Sequence, residues 1–391
     1  MPATTAARAK DGGKRQQAPQ LPIIPFTHAA HEHVEPAFDV SRLMTGNVQQ
    51  LGPFDVPAFG YLRSIWILVE GTGGLVGTGT PAVLAGDAPY NAIQDVALLD
   101  VNGAPIFGPF NGYQVYLANK WGGYQFMQDP DAQPNYSATI NPVFAVRIPV
   151  EISAKTGLGA LSNMNASANY KVQVSLAAST TFLSTPIGTD GALPTVRVRG
   201  FLEAWTLPNP TSRDGLPQAT MPPLHGTAQY WSVFTKQIVA GENNVILPRV
   251  GNQIRNLIAV FYNDSTPSVR ISTEYPDPIR FNWDARQLLN EARPYRQQSM
   301  FERYGNVGLD TGVFVYDFAH DANGHPGGED DGHLWLRTVQ ATRLEFVGTY
   351  TGTGGTLQIL TNDVAPVAVQ NRYEEDSRSG GVPGAGEGFI A

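Results

Sequence analysis

The sequence predicts an all-β protein of two consecutive eight-stranded sandwiches or jelly rolls. Three observations carry this. Segments such as 143–152 alternate, with Phe144, Val146, Ile148, Val150 and Ile152 apolar and Arg147, Pro149 and Glu151 between them. A period of two with one apolar face marks a strand that covers a core on one side and meets water on the other. Gly (41) and Pro (30) exceed the usual ~12% of residues. They are spread along the chain, as turns between many short strands would be. Finally, the same texture appears on both sides of one proline-rich stretch.

In chain order, residues 1–20 carry Arg8, Lys10, Lys14 and Arg15 against Asp11 and show no apolar period. They read as a basic arm, and 1–36 as arm plus extended lead-in. Strand signals follow at 61–69, at 93–101 before the Asn102-Gly103 turn, at 143–152, at 170–176 and at 196–205. Segment 112–120 fits either a short helix or a strand. Together these make a first unit over 37–210. Pro208, Pro210, Pro217, Pro222 and Pro223 crowd the next stretch, so 211–226 reads as the linker.

A second unit over 227–370 restarts the pattern at 229–239, 244–248 and 253–262. It continues at 312–318, 334–338, 343–350, 356–361 and 367–370. Its one notable helix is expected over 284–304. Asp284 and Gln287 have capping-box spacing, Gly305 sits at the C-terminal position, and Pro294 should kink the helix. Residues 371–391, rich in glycine with Glu374-Glu375-Asp376, read as a flexible tail.

Composition bounds the function. Charged residues are 15% and the net charge is −8, with 20 Arg and 6 Lys. That argues against a polyanion binder. Few charges and Arg over Lys suit a surface covered by other subunits. There is no Cys, which excludes disulfides, thiolate nucleophiles and Cys-ligated zinc. No apolar signal core opens the chain, and the longest fully apolar run, 257–262, is far too short to span a membrane.

No catalytic motif stands out. Gly77-x-Gly79 lies in a Gly/Thr-rich loop before Pro81, not between a strand and a helix. Two clusters carry metal-ligating residue types. His28, His31 and His33 lie near Glu32 and Glu35 in an extended, proline-flanked setting. His320, Asp321, Asn323, His325, Glu329, Asp330, Asp331 and His333 are weak candidates for calcium. Ala319 stands where an EF-hand loop needs an oxygen ligand, so both clusters read as polar loops, and no metal or other cofactor is expected. Within the expected helix, Arg286, Arg293, Arg296 and Arg303 would fall within an arc of roughly 100°. They are candidate subunit-interface residues, able to pair with carboxylates of a neighbour.

Three stretches carry a resemblance. They are Gly157-Leu-Gly-Ala-Leu-Ser-Asn-Met-Asn165 between two amphipathic strands, Asn91-Ala-Ile-Gln-Asp-Val96 before the Asn102-Gly103 turn, and Arg303-Tyr304-Gly305-Asn306-Val307-Gly308 after the Arg-rich helix. In order and spacing, from about residue 37 to 370, the chain resembles the major capsid proteins of tailless, membrane-containing icosahedral phages of the tectivirus type. The resemblance implies a double jelly roll standing upright in a virion shell. It implies homotrimers, six rolls to a pseudo-hexameric capsomer, around an internal membrane. It implies neighbouring capsomers, penton and minor capsid proteins as partners, contact of the N-terminal arm with the membrane, no nucleic-acid binding and no enzymatic activity. It also implies synthesis in the host cytoplasm. The rival reading of the residues is a two-domain carbohydrate-binding or carbohydrate-processing β-sandwich, which would need paired carboxylates across a groove if it were an enzyme.

Overall fold

The structure, a computed structural model, describes residues 23–124, 140–224, 227–248, 250–264, 269–284, 286–304, 310–319, 335–339 and 341–365. After a short helix α1 (Phe26–Ala29), the first roll runs through β1 (Glu32–Leu43), β2 (Gln49–Gln50), β3 (Phe54–Asp55), β4 (Tyr61–Thr72), β5 (Val83–Leu84), β6 (Ile93–Leu99) and β7 (Pro105–Phe110). It continues with helix α2 (Gly112–Trp121), β8 (Val143–Pro149), β9 (Leu161–Ser162), β10 (Lys171–Leu176), α3 (Ser179–Phe182), β11 (Leu183–Thr185) and β12 (Thr195–Trp205). The second roll comprises β13 (Gln229–Ile238), β14 (Gly241–Ile246), β15 (Gln253–Asn263), β16 (Ile279–Trp283), β17 (Arg286–Glu291), α4 (Arg293–Tyr304), β18 (Val313–Asp317), β19 (Leu336–Arg337), β20 (Leu344–Tyr350) and β21 (Gly355–Val364).

Each roll is a pair of facing sheets. In the first, β1-β12-β4-β8 faces β7-β6-β10 with β2 and β3. In the second, β13-β21-β15-β18 faces β14-β20-β16-β17. Both rolls thus repeat one connectivity, with a helix between β7 and β8 in the first and between β17 and β18 in the second. The link is a parallel pairing of β7 with β13 at Phe107 and Trp231, which fuses the inner sheets of the two rolls into one of ten strands. Because that pairing is parallel, both rolls stand the same way up. The loops 73–92, 177–194 and 351–354 gather at one end, the head, where helices α2 and α4 begin before running down toward the other end. The connection between rolls, residue 23 and residue 365 lie at the other, the base.

Alternating side chains make the cores. Ile65, Ile67, Val69, Val146, Ile148, Val196 and Val198 fill the first roll. Leu257, Ala259, Phe261, Phe314, Phe346, Leu357 and Ile359 fill the second. Each fully buried Val, Leu or Ile contributes about 1.5–3 kcal/mol. The opposite face of the second roll's strands, with Ile258, Val260, Val313, Val315 and Leu360, is buried too, against the first roll.

The duplication reaches single residues. In β4 the register skips Arg63, with Leu62 opposite Ala204 and Ser64 opposite Glu203. In β15 it skips Arg255, with Ile254 opposite Asp363 and Asn256 opposite Asn362. A bulge inserts one unpaired residue. Both rolls place it on the same strand near the base, and both fill it with a buried arginine. The two bulges align the rungs above them, Trp66 with Ile258 and Leu68 with Val260.

The expected helix over 284–304 is corrected. Residues 286–291 form strand β17 against β16, and α4 begins only at Arg293. Asp284 is not a helix cap. It sits at φ 50° in the β16–β17 turn, and its carboxylate accepts from the N–H groups of Thr342 and Arg343. Pro294 does not kink the helix, because it occupies the first turn, where its missing N–H costs nothing. Segment 112–120 is helical, and β1 begins at Glu32, inside the segment read as lead-in. The expected strand at 367–370 and the terminal segments 1–20 and 371–391 lie outside the described residues.

Candidate functional site

The seam between the rolls is the most heavily built part of the molecule. Helix α2 starts at a capping box, in which Asn111 Oδ1 accepts from the Gln114 N–H and Gln114 Oε1 accepts from the Asn111 N–H. Gly112 opens the helix because a Cβ there would lie 1.9 Å from the Tyr90 carbonyl oxygen. All ten residues of α2 are buried, polar ones included. Asn119 bonds the N–H and C=O of Arg147 at 2.7 and 2.6 Å, which closes the edge of β8.

On its other side α2 meets the second roll. Lys120 Nζ lies 3.0 Å from Asp310 Oδ2, with both side chains essentially inaccessible. The Tyr116 hydroxyl and Trp121 Nε1 also donate to that carboxylate, at 2.6 and 2.8 Å. A buried charge pair is tolerated when its remaining valences are met, and here two neutral donors assist. The Trp121 ring packs edge-on against Tyr304 at 4.9 Å.

Toward the head, Arg270 Nε bonds Asp87 at 2.9 Å and the Tyr262 hydroxyl donates to the same carboxylate at 2.9 Å. The Arg270 guanidinium lies 4.4 Å from the Tyr113 ring centre, and burial pushes the Tyr113 phenol well up. A cavity of about 440 Å³ opens there, with Asp87, Asn91, Gln94, Arg270, Ile93 and Leu183 in its lining. Toward the base, Arg255 Nη1 donates to Tyr124 Oη and Asn362 Oδ1, at 2.9 and 3.0 Å. Gln229 Nε2 there bonds the carbonyls of Val150 and Glu151.

The same rungs in the first roll are open. The outer face of β12-β4-β8 presents Trp66, Leu68, Phe201 and Ala145, all half-buried. Ion pairs ring this apolar strip. They are Arg147–Glu203 at 2.7 Å, Arg199–Glu70 at 2.6 Å and Arg197–Asp39. Burial works against the Glu203 charge, but Arg147 and hydrogen bonds from Ser64 and Trp66 prevail and hold its carboxyl below the usual range. At the base of this face, Arg63 bonds Glu151 at 2.9 Å and Glu32 at 2.6 Å. Burial raises the Glu151 carboxyl despite Arg63.

The four candidate arginines do not share one helix. Arg286 is exposed on β17. Arg293 Nη1 donates to the Tyr275 carbonyl at 2.9 Å. Arg296 bonds Glu291 and lies 4.4 Å from the Tyr316 ring centre. Arg303 bonds the Asp317 carbonyl and approaches its carboxylate at 3.4 Å. What α4 exposes instead is aromatic, with Tyr295 62% and Phe301 53% accessible.

His33 stacks on Phe59 and lies 3.3 Å from Glu35 Oε2. Among the described residues no three His, Asp or Glu side chains are placed to share a metal, and no helix is long and apolar enough to cross a membrane. The acidic cluster from His320 to His333 lies outside the described residues. Sequence reasoning missed Lys120, Asp310, Asp87 and Arg270. Lys120 alone left a signal, as the single cation in the otherwise uncharged stretch 112–121.

No family model matches the sequence, and no curated protein matches it. Solved structures do. The chain is similar to the STIV major capsid protein at 13% identity and TM-score 0.57, covering 87% of this chain and 98% of that one. It is similar to a chain of the atomic structure of Sulfolobus Turreted Icosahedral Virus at 12% identity and TM-score 0.58, covering 89% and 99%. The major capsid protein P2 of bacteriophage PM2 aligns at 12% identity and TM-score 0.50, over 85% and 98%. The fold is therefore the all-β double jelly roll.

Proposed function

We propose that this chain is the major capsid protein of a tailless icosahedral virus, a structural subunit without catalytic activity. The observation that carries the reading is the rigid seam between two rolls standing the same way up, in a fold shared over nearly its whole length with virion shell proteins. A subunit built so presents two similar uprights to a lattice. Three copies would then supply six rolls, a near-hexagonal tile from one chain type. In this reading the protein resides in the outer shell of the virion, around an internal membrane, after synthesis in the host cytoplasm. Neighbouring capsomers, penton and minor capsid proteins are its partners, and the base end, where both described ends of the chain emerge, faces inward. The carbohydrate-binding alternative draws no support from these folds.

Light scattering on the purified soluble protein tests this. The expected mass is three times 42.2 kDa. Electron microscopy at assembly concentrations should show near-hexagonal tiles. A protein that stays monomeric across micromolar concentrations would overturn the proposal.

A further inference from the structure

The two rolls share one connectivity, but only one of their two equivalent junctions is closed within the chain. In the closed one, the β7 edge of the first roll lies parallel to the β13 edge of the second, and α2 packs against the outer face of β21-β15-β18. The corresponding parts of the open junction are the β17 edge with α4 and the β1 edge with the outer face of β12-β4-β8. We propose that these two surfaces meet between copies. The β17 edge and α4 of one copy dock on the β1 edge and the Trp66–Leu68–Phe201 face of a second copy. This rests on the capsid reading above and names which faces its subunits use.

The rungs give the match. The bulges at Arg63 and Arg255 align Trp66 with Ile258, Leu68 with Val260, and Phe201 with Leu360. All three second-roll residues are fully buried beneath the first roll. Their counterparts in the first roll are large, apolar and half-covered. On the edge strands, Trp231 opposes Phe107 in the closed junction. Trp231 faces Asn362 across β21, as Val34 faces Glu203 across β12, so Val34 holds the position of Trp231. Phe107 is the third residue of β7, and Leu288 is the third of β17. Both open-junction residues are exposed, Val34 at 59% and Leu288 at 38%.

Charge agrees with this placement. Arg286 lies at the base end of β17, and Glu32 and Glu35 lie at the base end of β1. The exposed Tyr295 and Phe301 of α4 supply the aromatic contact that Tyr113, Tyr116 and Trp121 supply from α2. A long edge strand with exposed apolar residues is an aggregation hazard unless something covers it. The two surfaces differ, so the contact is heterologous and must close into a ring or run on as a filament. A ring of six rolls closes with three copies.

The absence of native cysteine allows a direct test. Val34→Cys and Leu288→Cys in one chain would place thiols on neighbouring copies within disulfide reach, about 4.4–6.8 Å between Cα atoms. Mild oxidation, or a short bis-maleimide linker, should yield a covalent species of three chains. Neither single variant should cross-link alone, and a mixture of the two single variants should give pairs. Assembled double variant that stays uncross-linked would overturn the docking, as would single variants that cross-link to themselves. A wild-type chain that never self-associates would sink the capsid reading with it. Tyr295→Asp with Phe301→Asp should weaken self-association at least tenfold with an unchanged unfolding midpoint. Val239→Asp, at an exposed head turn outside the contact, should change neither. Wild-type association by the double aspartate variant would also overturn the proposal.

Discussion

Helices α2 and α4 hold the same place in the two rolls, yet they have opposite environments. Every residue of α2 is buried, including Gln114, Asn119 and Lys120. In α4 only Met300 and Tyr304 are buried, and two aromatics face out. Connectivity alone therefore does not decide what a helix needs. α2 has a second roll against it, so Gln114 and Lys120 are matched with Gln358 and Asp310 across the seam, while Asn119 closes β8 in the first roll. α4 meets the first roll at Tyr304, which packs on Trp121, and its arginines fold back onto Glu291, the Tyr275 carbonyl and Asp317. The difference separates a helix covered on all sides within one chain from one with an exposed aromatic face.

Removing the Asp310 carboxylate should break this contrast most severely. Asp310→Ala leaves the Lys120 ammonium buried without its counter-charge, and breaking a buried pair costs about 3–5 kcal/mol. Urea unfolding checks this, and Lys120→Met with Asp310→Leu should recover much of the loss. Next come matched rungs. Ile258→Ala, under the first roll, should cost about 3 kcal/mol through transfer and cavity terms. Leu68→Ala, on the equivalent open rung, should cost about 1 kcal/mol in the monomer. Equal losses would mean that the two faces are equally covered.

A smaller effect separates two kinds of paired carboxylate by pH. The Glu203 carboxyl is held below its ordinary range, so its contribution is present above about pH 4.3 and is lost as pH falls through the depressed value. Glu151 and Asp317 are raised by burial despite Arg63 and Arg303. Their contribution has the opposite sign, present at low pH and lost as pH rises through their raised values. The acid-side fall in unfolding midpoint should therefore shrink in Glu203→Gln, which itself costs about 1–2 kcal/mol at neutral pH. Smallest is Phe301→Ala, expected within about 0.5 kcal/mol of wild type in monomer stability, as thermal unfolding would show.

The strands were legible because one face of each is wet, or the run is long and apolar. Residues 143–152 and 253–262 stood out for these reasons. Helix α2 was ambiguous because burial on all sides erases the 3.6-residue period that marks a surface helix. Residues 286–291, Arg-Gln-Leu-Leu-Asn-Glu, have helical propensity and no β-branched residue. Pairing with β16 overrides that preference. Asp284 mimicked a cap because the same carboxylate chemistry serves a turn as well as a helix. The seam was invisible because its pairs lie far apart in the chain. Asp310 is 190 residues from Lys120, and Arg270 is 183 from Asp87. No local period reports such a meeting.

That separation also bears on how the chain is made. The first roll leaves the ribosome with α2 finished but uncovered. Asn256 and Tyr304, which meet it from the second roll, arrive more than a hundred positions later, as does Asp310. Until then a nascent chain shows Tyr113, Trp121 and Lys120 uncovered by the second roll. Contacts this distant in sequence form slowly, and exposed apolar surface invites misassociation meanwhile. A ribosome stalled between the two rolls thus holds a product that can fold its first sandwich and still be adhesive, so elongation speed through the second roll governs how long a holdase is needed.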